Sequence, residues 1–240
     1  MEALSVVYIE NVSQYVSAIV NINRHETKGS LYRGQPDYSF GLTSTLQRAL
    51  TREVGPIHLQ SAKNAWWIFK KERHLYHPSG DLAPWDELCL AQHYGMPTRL
   101  LDWTLDPLIG LYFALESVED FLPEADACVY VIPARGDVGW VNSEDLGADV
   151  FAELSLAGSS YEHYILVPDY REIRVRSQSG VFSLTKNISD EFPKSLTHHV
   201  VIPAACINTI KKELIMFNVT RKRVYLDAAS LCLDLKSSYF

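Results

Sequence analysis

"LAQHYGMPTRLLDWTLDPLIGLYFAL", residues 90–115, mixes core-like and polar side chains within a short span. Most of its residues are apolar, yet it holds one histidine, one arginine and two aspartates. Buried polar groups need partners, because an unpaired one costs free energy. The stretch therefore either braces itself with internal hydrogen bonds or lines a site for a ligand.

Helix signals flank the polar part of this stretch. Pro84 suits a first helical turn and Gly95 the position just after a helix, which predicts a helix over 84–95. Asp106 is a good N-cap with Pro107 at the first helical position, which predicts the next helix. The segment between them is predicted to be an ordered loop, because its leucines and tryptophan will not stay in water.

Arg99 and Asp102 lie in that segment, beside buried neighbours. They either brace the loop with charge-assisted hydrogen bonds, with Gln92 and Thr104 capping helix ends, or they line a ligand pocket. Both interpretations stay open from the residues alone.

The rest of the chain predicts an α+β fold, with helices mainly in the first half packed on a mixed or antiparallel sheet. Apolar spacing predicts a helix over 13–24, with Tyr15, Ile19 and Ile22 on one face. β-branched and aromatic runs predict strands. The predicted strands are 30–35, 127–134, 163–168, 180–184 and 198–204, and further helices are predicted over 59–75, with its "AWWIF" cluster inward, near 206–217 and near 226–236. Residues 136–162 are predicted as loops with a short helix.

Composition limits the function classes. The apolar share of 47% and charged share of 21% are ordinary for a globular protein. A net charge of −7 argues against a general binder of nucleic acid. The basic clusters "TIKKEL" and "TRKRVY" are most simply solvated helix faces, with local nucleic-acid contact as the alternative.

Compartment and metal content follow from other patterns. The first residues lack a basic region and the apolar run 105–115 is too short for a bilayer, so we expect a cytoplasmic protein without membrane contact.

The scattered cysteines predict buried thiols and no disulfide framework. The histidines have no third ligand at a suitable spacing, so we expect no metal site. The cysteines are Cys89, Cys128, Cys206 and Cys232, and the histidine pairs are His74 with His77 and His198 with His199.

"SLYRGQ", residues 30–35, raises the question of a ligand again. Arg33 lies mid-strand, and Gly34 after it leaves room for something to approach the backbone closely. A guanidinium beside such a gap is suited to bidentate binding of phosphate. We therefore predict that Arg33 and residues 92–104 face one cavity, although some sixty residues separate them.

The order of four motifs resembles the FRG domain family, named for its aromatic-Arg-Gly motif. The motifs are "LYRGQ", "TSTLQR", the stretch 90–115 and "RVRSQSGVFSL", followed by "MFNVTRKRVYLD". The resemblance implies one domain over 1–240 with a core at about 28–235. It also implies a bacterial protein, often linked to mobile elements and phage conflict.

The aromatic-Arg-Gly strand is also similar to the first motif of many ADP-ribosyltransferases, enzymes with a split β core. That similarity implies NAD as substrate, held by Arg33 and Gly34, with a pocket lined by Gln92, His93 and Tyr94. We extend the predicted pocket to Arg99, Thr104 and Tyr112, with Tyr94 or Tyr112 stacking on nicotinamide.

The superfamily usually carries a catalytic glutamate on a late strand, and no Glu-x-Glu motif is present. Glu172 is the nearest candidate, and Gln178 is a neutral fallback. His93 and Asp102 complete the predicted catalytic set.

Three functions remain open. The first is an NAD-dependent ADP-ribosyltransferase-like toxin or phage-defence effector, acting on an unidentified macromolecule or held by an antitoxin partner. The second is a non-catalytic module that binds a nucleotide or a partner chain. The third is a metal-independent nuclease or hydrolase that uses His93, Arg99 and Asp102.

Overall fold

The structure, a computed structural model, describes residues 4–24, 29–52, 57–77, 80–117, 124–133, 138–156, 158–169 and 178–239. The strands are β1 (Val6–Tyr8), β2 (Leu31–Gln35), β3 (Leu101–Thr104), β4 (Ala127–Ile132), β5 (Gly139–Asn142), β6 (His163–Val167), β7 (Gly180–Thr185) and β8 (His198–Ile202). The α-helices are α1 (Val12–Ile22), α2 (Thr45–Thr51), α3 (Leu59–Glu72), α4 (Pro84–His93), α5 (Pro107–Leu115), α6 (Ile207–Met216), α7 (Arg221–Tyr225) and α8 (Ala228–Tyr239).

The eight strands form one mixed sheet in the order β1-β8-β4-β2-β3-β7-β6-β5. The outermost pairs, β1 with β8 and β5 with β6, are parallel, and the other pairs are antiparallel. The predicted α+β class with a mixed sheet is therefore confirmed.

Both faces of the sheet are buried in its centre. Along β4, Ala127, Val129 and Val131 pack into a core with α1, α5 and α6, while Cys128 and Tyr130 point to the opposite face. This alternation follows from the two-residue period of a strand. The opposite core takes residues from strands on both sides of the β2–β3 junction, so it joins the two halves of the sheet.

Several predicted elements are confirmed. Helix α1 buries Tyr15, Ile19 and Ile22 on one face. Helix α4 ends just before Gly95, whose φ is 87°. The Asp106 carboxylate accepts hydrogen bonds from the first turn of α5, as an N-cap does.

The prediction of a loop between α4 and α5 is wrong in part, because β3 forms there. Residues 101–104 pair with β7 at four positions, and Leu101 and Trp103 are buried while Asp102 is exposed. Four residues are too few to show strand alternation within an apolar stretch. The short strands β1 and β5 were missed for the same reason, and the short helix expected in 136–162 is a 3₁₀ turn at Ser143–Asp145.

The inward "AWWIF" cluster is also wrong in part. Trp66 is buried, but Trp67 and Ile68 are 58% and 48% exposed. A helix turns about 100° per residue, so consecutive side chains cannot all face one core.

The prediction of buried, unpaired cysteines is confirmed in part. All four cysteines are free, but only Cys89 and Cys128 are buried, and Cys232 is exposed. Among the described residues, no group of three His, Cys, Asp or Glu side chains is placed to hold a metal ion. In the same ranges no helix has both the length and the apolarity to cross a membrane.

A contact between two glycines brings α5 against β2. A Cβ on Gly34 would overlap the backbone N of Ala114 and the backbone O of Gly110, and one on Gly110 would lie 2.7 Å from the Cβ of Tyr32. The close approach expected at Gly34 is therefore made by α5 of the same chain.

Gly34→Ala is expected to destabilise the fold by about 3 kcal/mol or more, because the added methyl group must displace helix backbone. Gly29→Ala is a matched control, since a Cβ there meets nothing within 4 Å. Urea unfolding of both variants measures the difference. Equal free energies of unfolding would show that α5 does not pack as described.

Candidate functional site

A cavity of about 410 Å³ lies beside the junction of β2 and β3. The two strands pair at one position, Tyr32 with Thr104, whereas β2 pairs with β4 at five positions. Beyond Tyr32 the sheet is therefore split. The cavity is lined by seven of the predicted site residues, Arg33, Gly34, Gln92, His93, Asp102, Thr104 and Gln178. The prediction that Arg33 and residues 92–104 face one cavity is confirmed for Gln92, His93, Asp102 and Thr104, but not for Tyr94 and Arg99.

Arg33 reaches across the split. Its Nη1 donates a hydrogen bond to the backbone O of Asp102 at 2.8 Å and lies 3.9 Å from the Asp102 carboxylate. The Arg33 side chain is 17% exposed, and its Nε is buried without a hydrogen-bond partner. Burial lowers the pKa of Arg33 below its ordinary value. The site thus holds a desolvated cation that is only partly compensated.

A chain of hydrogen bonds orients Asp102. Gln92 Nε2 donates to Asp102 Oδ1 at 2.7 Å, and the Thr98 hydroxyl donates to Gln92 Oε1. Thr98 N in turn donates to the Thr45 hydroxyl at 3.1 Å, which ties this chain to α2. Both ends of the Gln92 amide are therefore engaged within the protein. The arrangement makes Gln92 a positioning residue for the carboxylate.

Gln178 and Thr104, which both line the cavity, are joined by a hydrogen bond. The Thr104 hydroxyl donates to the backbone O of Gln178 at 2.6 Å and accepts from the backbone N of Asp106 at 3.0 Å. The Thr104 hydroxyl therefore serves the backbone. Gln178 Nε2 is buried without a hydrogen-bond partner, so it is a second polar donor that a ligand in the cavity can satisfy.

Apolar walls that the sequence did not reveal complete the cavity. Met96, Trp103, Phe113 and Phe182 line it. Flat aromatic walls with a few convergent polar groups are typical of small-molecule sites. A tryptophan directly after Asp102 is a signal that could have found one wall, but nothing in the spacing of the other three points to a shared cavity.

Comparison with known families bears on the same residues. Residues 28–122 match the model of the FRG domain. The chain contains an FRG domain. The match runs through β2, α4, β3 and α5, which supply most of the cavity wall, and it ends before Gln178. No curated protein and no solved structure matches the chain.

Arg99 of the FRG domain serves the fold and does not line the cavity. Its two terminal nitrogens donate to the backbone O atoms of Val150, Ala152, Thr185 and Lys186, at 3.3, 2.7, 2.7 and 3.2 Å. Burial lowers the pKa of Arg99 to about 10. The bracing interpretation therefore describes Arg99, but its partners are carbonyls and not Asp102.

Three other predicted residues also lie away from the cavity wall or outside the described residues. Tyr94 is 60% exposed, with its ring centroid 4.9 Å from that of His93. Tyr112 packs against the core around α1, and its hydroxyl donates to Glu116 at 3.3 Å. Glu172 falls outside the residues that the structure describes. Neither tyrosine ring is placed to stack on a ligand inside the cavity.

Arg99→Met is expected to lower the free energy of unfolding by about 2–4 kcal/mol, because it removes the donors to four backbone carbonyl groups, of which those of Val150 and Thr185 are buried. Asp102→Asn is expected to change it by less than about 1 kcal/mol, because the Asp102 side chain is 65% exposed. Urea unfolding compares the two. A larger loss of unfolding free energy in Asp102→Asn than in Arg99→Met would show that Asp102, and not Arg99, braces the fold.

Proposed function

We propose that the cavity of this FRG domain binds NAD and that the protein transfers ADP-ribose from it to an acceptor. One observation carries the proposal. Arg33 holds a desolvated, incompletely paired guanidinium at a split in the sheet. A pyrophosphate would offset that charge, because a guanidinium matches two phosphate oxygens with parallel hydrogen bonds.

The remaining walls fit the other parts of the same ligand. The partly exposed Phe113 ring, together with the small exposed parts of Trp103 and Phe182, offers an apolar surface for the nicotinamide ring. The Gln178 amide would donate to a ribose or carboxamide oxygen, which would satisfy its buried nitrogen. The volume of about 410 Å³ lies within the range of small-molecule pockets.

The transfer forms a bond between an acceptor N or O atom and C1′ of the nicotinamide ribose. The bond from C1′ to nicotinamide breaks, its electron pair leaves with nicotinamide, and the acceptor gives up a proton. Positive charge develops on the ribose during this step, so a nearby carboxylate lowers the barrier.

Asp102 is our first candidate for that carboxylate. It is the one acidic residue among the described residues that line the cavity. Gln92 holds its Oδ1 at 2.7 Å, which fixes its orientation without neutralising it. Glu172 is the second candidate, because the enzyme superfamily usually carries its acid late in the chain. His93, which also lines the cavity, is our candidate for the base that takes the acceptor proton.

The nuclease hypothesis is less well supported. It needs His93, Arg99 and Asp102 together, and the guanidinium of Arg99 is held by four backbone carbonyls away from the other two. A non-catalytic module that binds NAD would share the binding step with our proposal and differ in turnover, whereas a module that binds another nucleotide or a partner chain would not bind NAD. A protein that consumes NAD or modifies host molecules would damage a cell, so we propose a bacterial toxin or phage-defence effector as its role.

Arg33→Lys is expected to weaken NAD binding by about one to two orders of magnitude, because an ammonium offers no planar fork. Isothermal titration calorimetry with NAD measures the change. Arg24→Lys, an exposed position, is the matched control. No heat from the unaltered protein with NAD would overturn the proposal.

The rate of nicotinamide release distinguishes the two candidate acids, Asp102 and Glu172. If Asp102 stabilises the ribose, Asp102→Asn lowers the rate of nicotinamide release by about 10²–10³ with little change in NAD affinity. If Glu172→Gln, measured in parallel, slows nicotinamide release more than Asp102→Asn does, Glu172 is the carboxylate that stabilises the ribose. NAD binding without release of nicotinamide in the unaltered protein would favour the non-catalytic module.

A further inference from the structure

Large exposed side chains follow one face of α3. Trp67, Lys71 and Leu75 are spaced four residues apart, which places them on one stripe of a helical segment. Trp67 is 58% exposed and Leu75 70% exposed, and Tyr76 beside them is 81% exposed. A concentration of exposed aromatic and aliphatic side chains such as this marks an interaction surface.

The stripe leads to the cavity. Helix α3 continues into a 3₁₀ turn over Arg73–Leu75, so the stripe extends about 12 Å beyond Trp67. Past the turn, the His77 ring lies 5.8 Å from the Tyr94 ring, and the Tyr94 ring lies 4.9 Å from that of His93. His93 lines the cavity. Trp67, Lys71, Tyr76, His77 and Tyr94 are called the α3 stripe below.

The charge of this segment contrasts with that of the chain. Residues 59–77 hold four basic residues and one acid, and two histidines besides, in a protein whose net charge is −7. Lys70 and Arg73 pair with Glu87, at 3.8 and 2.5 Å. Lys71 instead lies over the Trp67 ring, 3.8 Å from its centroid, and both side chains are exposed. The stripe thus combines aromatic faces with positive charge.

We propose that the α3 stripe binds single-stranded nucleic acid and delivers a nucleotide to the cavity, where a base or sugar atom serves as the acceptor of ADP-ribose. Only the second part of this inference, the use of the bound strand as acceptor, rests on the proposed function. Exposed aromatic rings stack on unpaired bases, and neighbouring lysines follow the phosphates. A duplex hides the faces of its bases, so it leaves the exposed rings nothing to stack on.

A protein partner fits the same surface less well. Protein–protein interfaces are depleted in lysine, and in the α3 stripe Lys71 lies directly over the Trp67 ring. For a single strand the same pair is favourable, because a base can stack on the Trp67 ring while the Lys71 ammonium contacts the adjacent phosphate.

Fluorescence anisotropy with labelled DNA and RNA single strands of about 12 nucleotides tests the surface directly. We expect Trp67→Ala to weaken binding about tenfold, and Lys71→Gln to weaken it and reduce its salt dependence. Trp140→Ala is the matched control, because Trp140 is 48% exposed on the edge strand β5. It should bind like the unaltered protein.

The outcomes separate this inference from the proposed function. No binding of either single strand, equal losses in the Trp67 and Trp140 variants, or preference for the matching duplex would overturn it. Calorimetry with NAD on Trp67→Ala is independent, since Trp67 does not line the cavity, and it should match the unaltered protein. Transfer of label from NAD to the bound strand, lost in Trp67→Ala, supports the inference. Label on protein alone, despite strand binding, overturns the acceptor assignment.

Discussion

The close packing of α5 on β2 is the constraint on which the site depends. Gly34 and Gly110 have no side chains at the point of contact, so helix and strand approach to a distance that a single methyl group would prevent. That approach sets the positions of two cavity residues at once. Arg33 precedes one of the glycines, and Phe113, three residues after the other, forms part of the wall.

Asp106 links this packing to the split in the sheet. Its carboxylate caps α5, accepting from the backbone N of Leu108 and of Ile109, and its backbone N donates to the Thr104 hydroxyl. Thr104 is also the residue at which β3 meets β2. The end of one strand and the start of one helix are therefore tied together, and the split begins beside that tie. The gap is bridged by Arg33, whose charge is the basis of the proposed NAD site.

Arg99 and Arg33 show how one residue type takes two roles. The two terminal nitrogens of Arg99 donate to four carbonyls, although its Nε has no partner, so it holds residues 150–152 and the end of β7 to the segment before β3. Arg33 also has a buried Nε without a partner, but it lines a cavity and its terminal Nη1 donates to a single carbonyl, that of Asp102. The density of polar residues in 90–115 thus has both explanations, with Arg99 bracing the fold and Asp102 facing the site.

Local patterns in the sequence determined the α+β class, the caps of α4 and α5, the buried face of α1 and most of the cavity-facing polar residues, because these depend on spacing and on the chemistry of single side chains. The tertiary structure decided the rest. A four-residue strand such as β3 carries too little periodicity to be recognised, and its central place in the sheet comes from pairing with β7, nearly eighty residues later. Whether Arg99 and Tyr112 face the cavity depended on partners remote in the chain, Thr185 for Arg99 and the core around α1 for Tyr112. The walls formed by Phe113 and Phe182 likewise exist only once distant elements are brought together by packing.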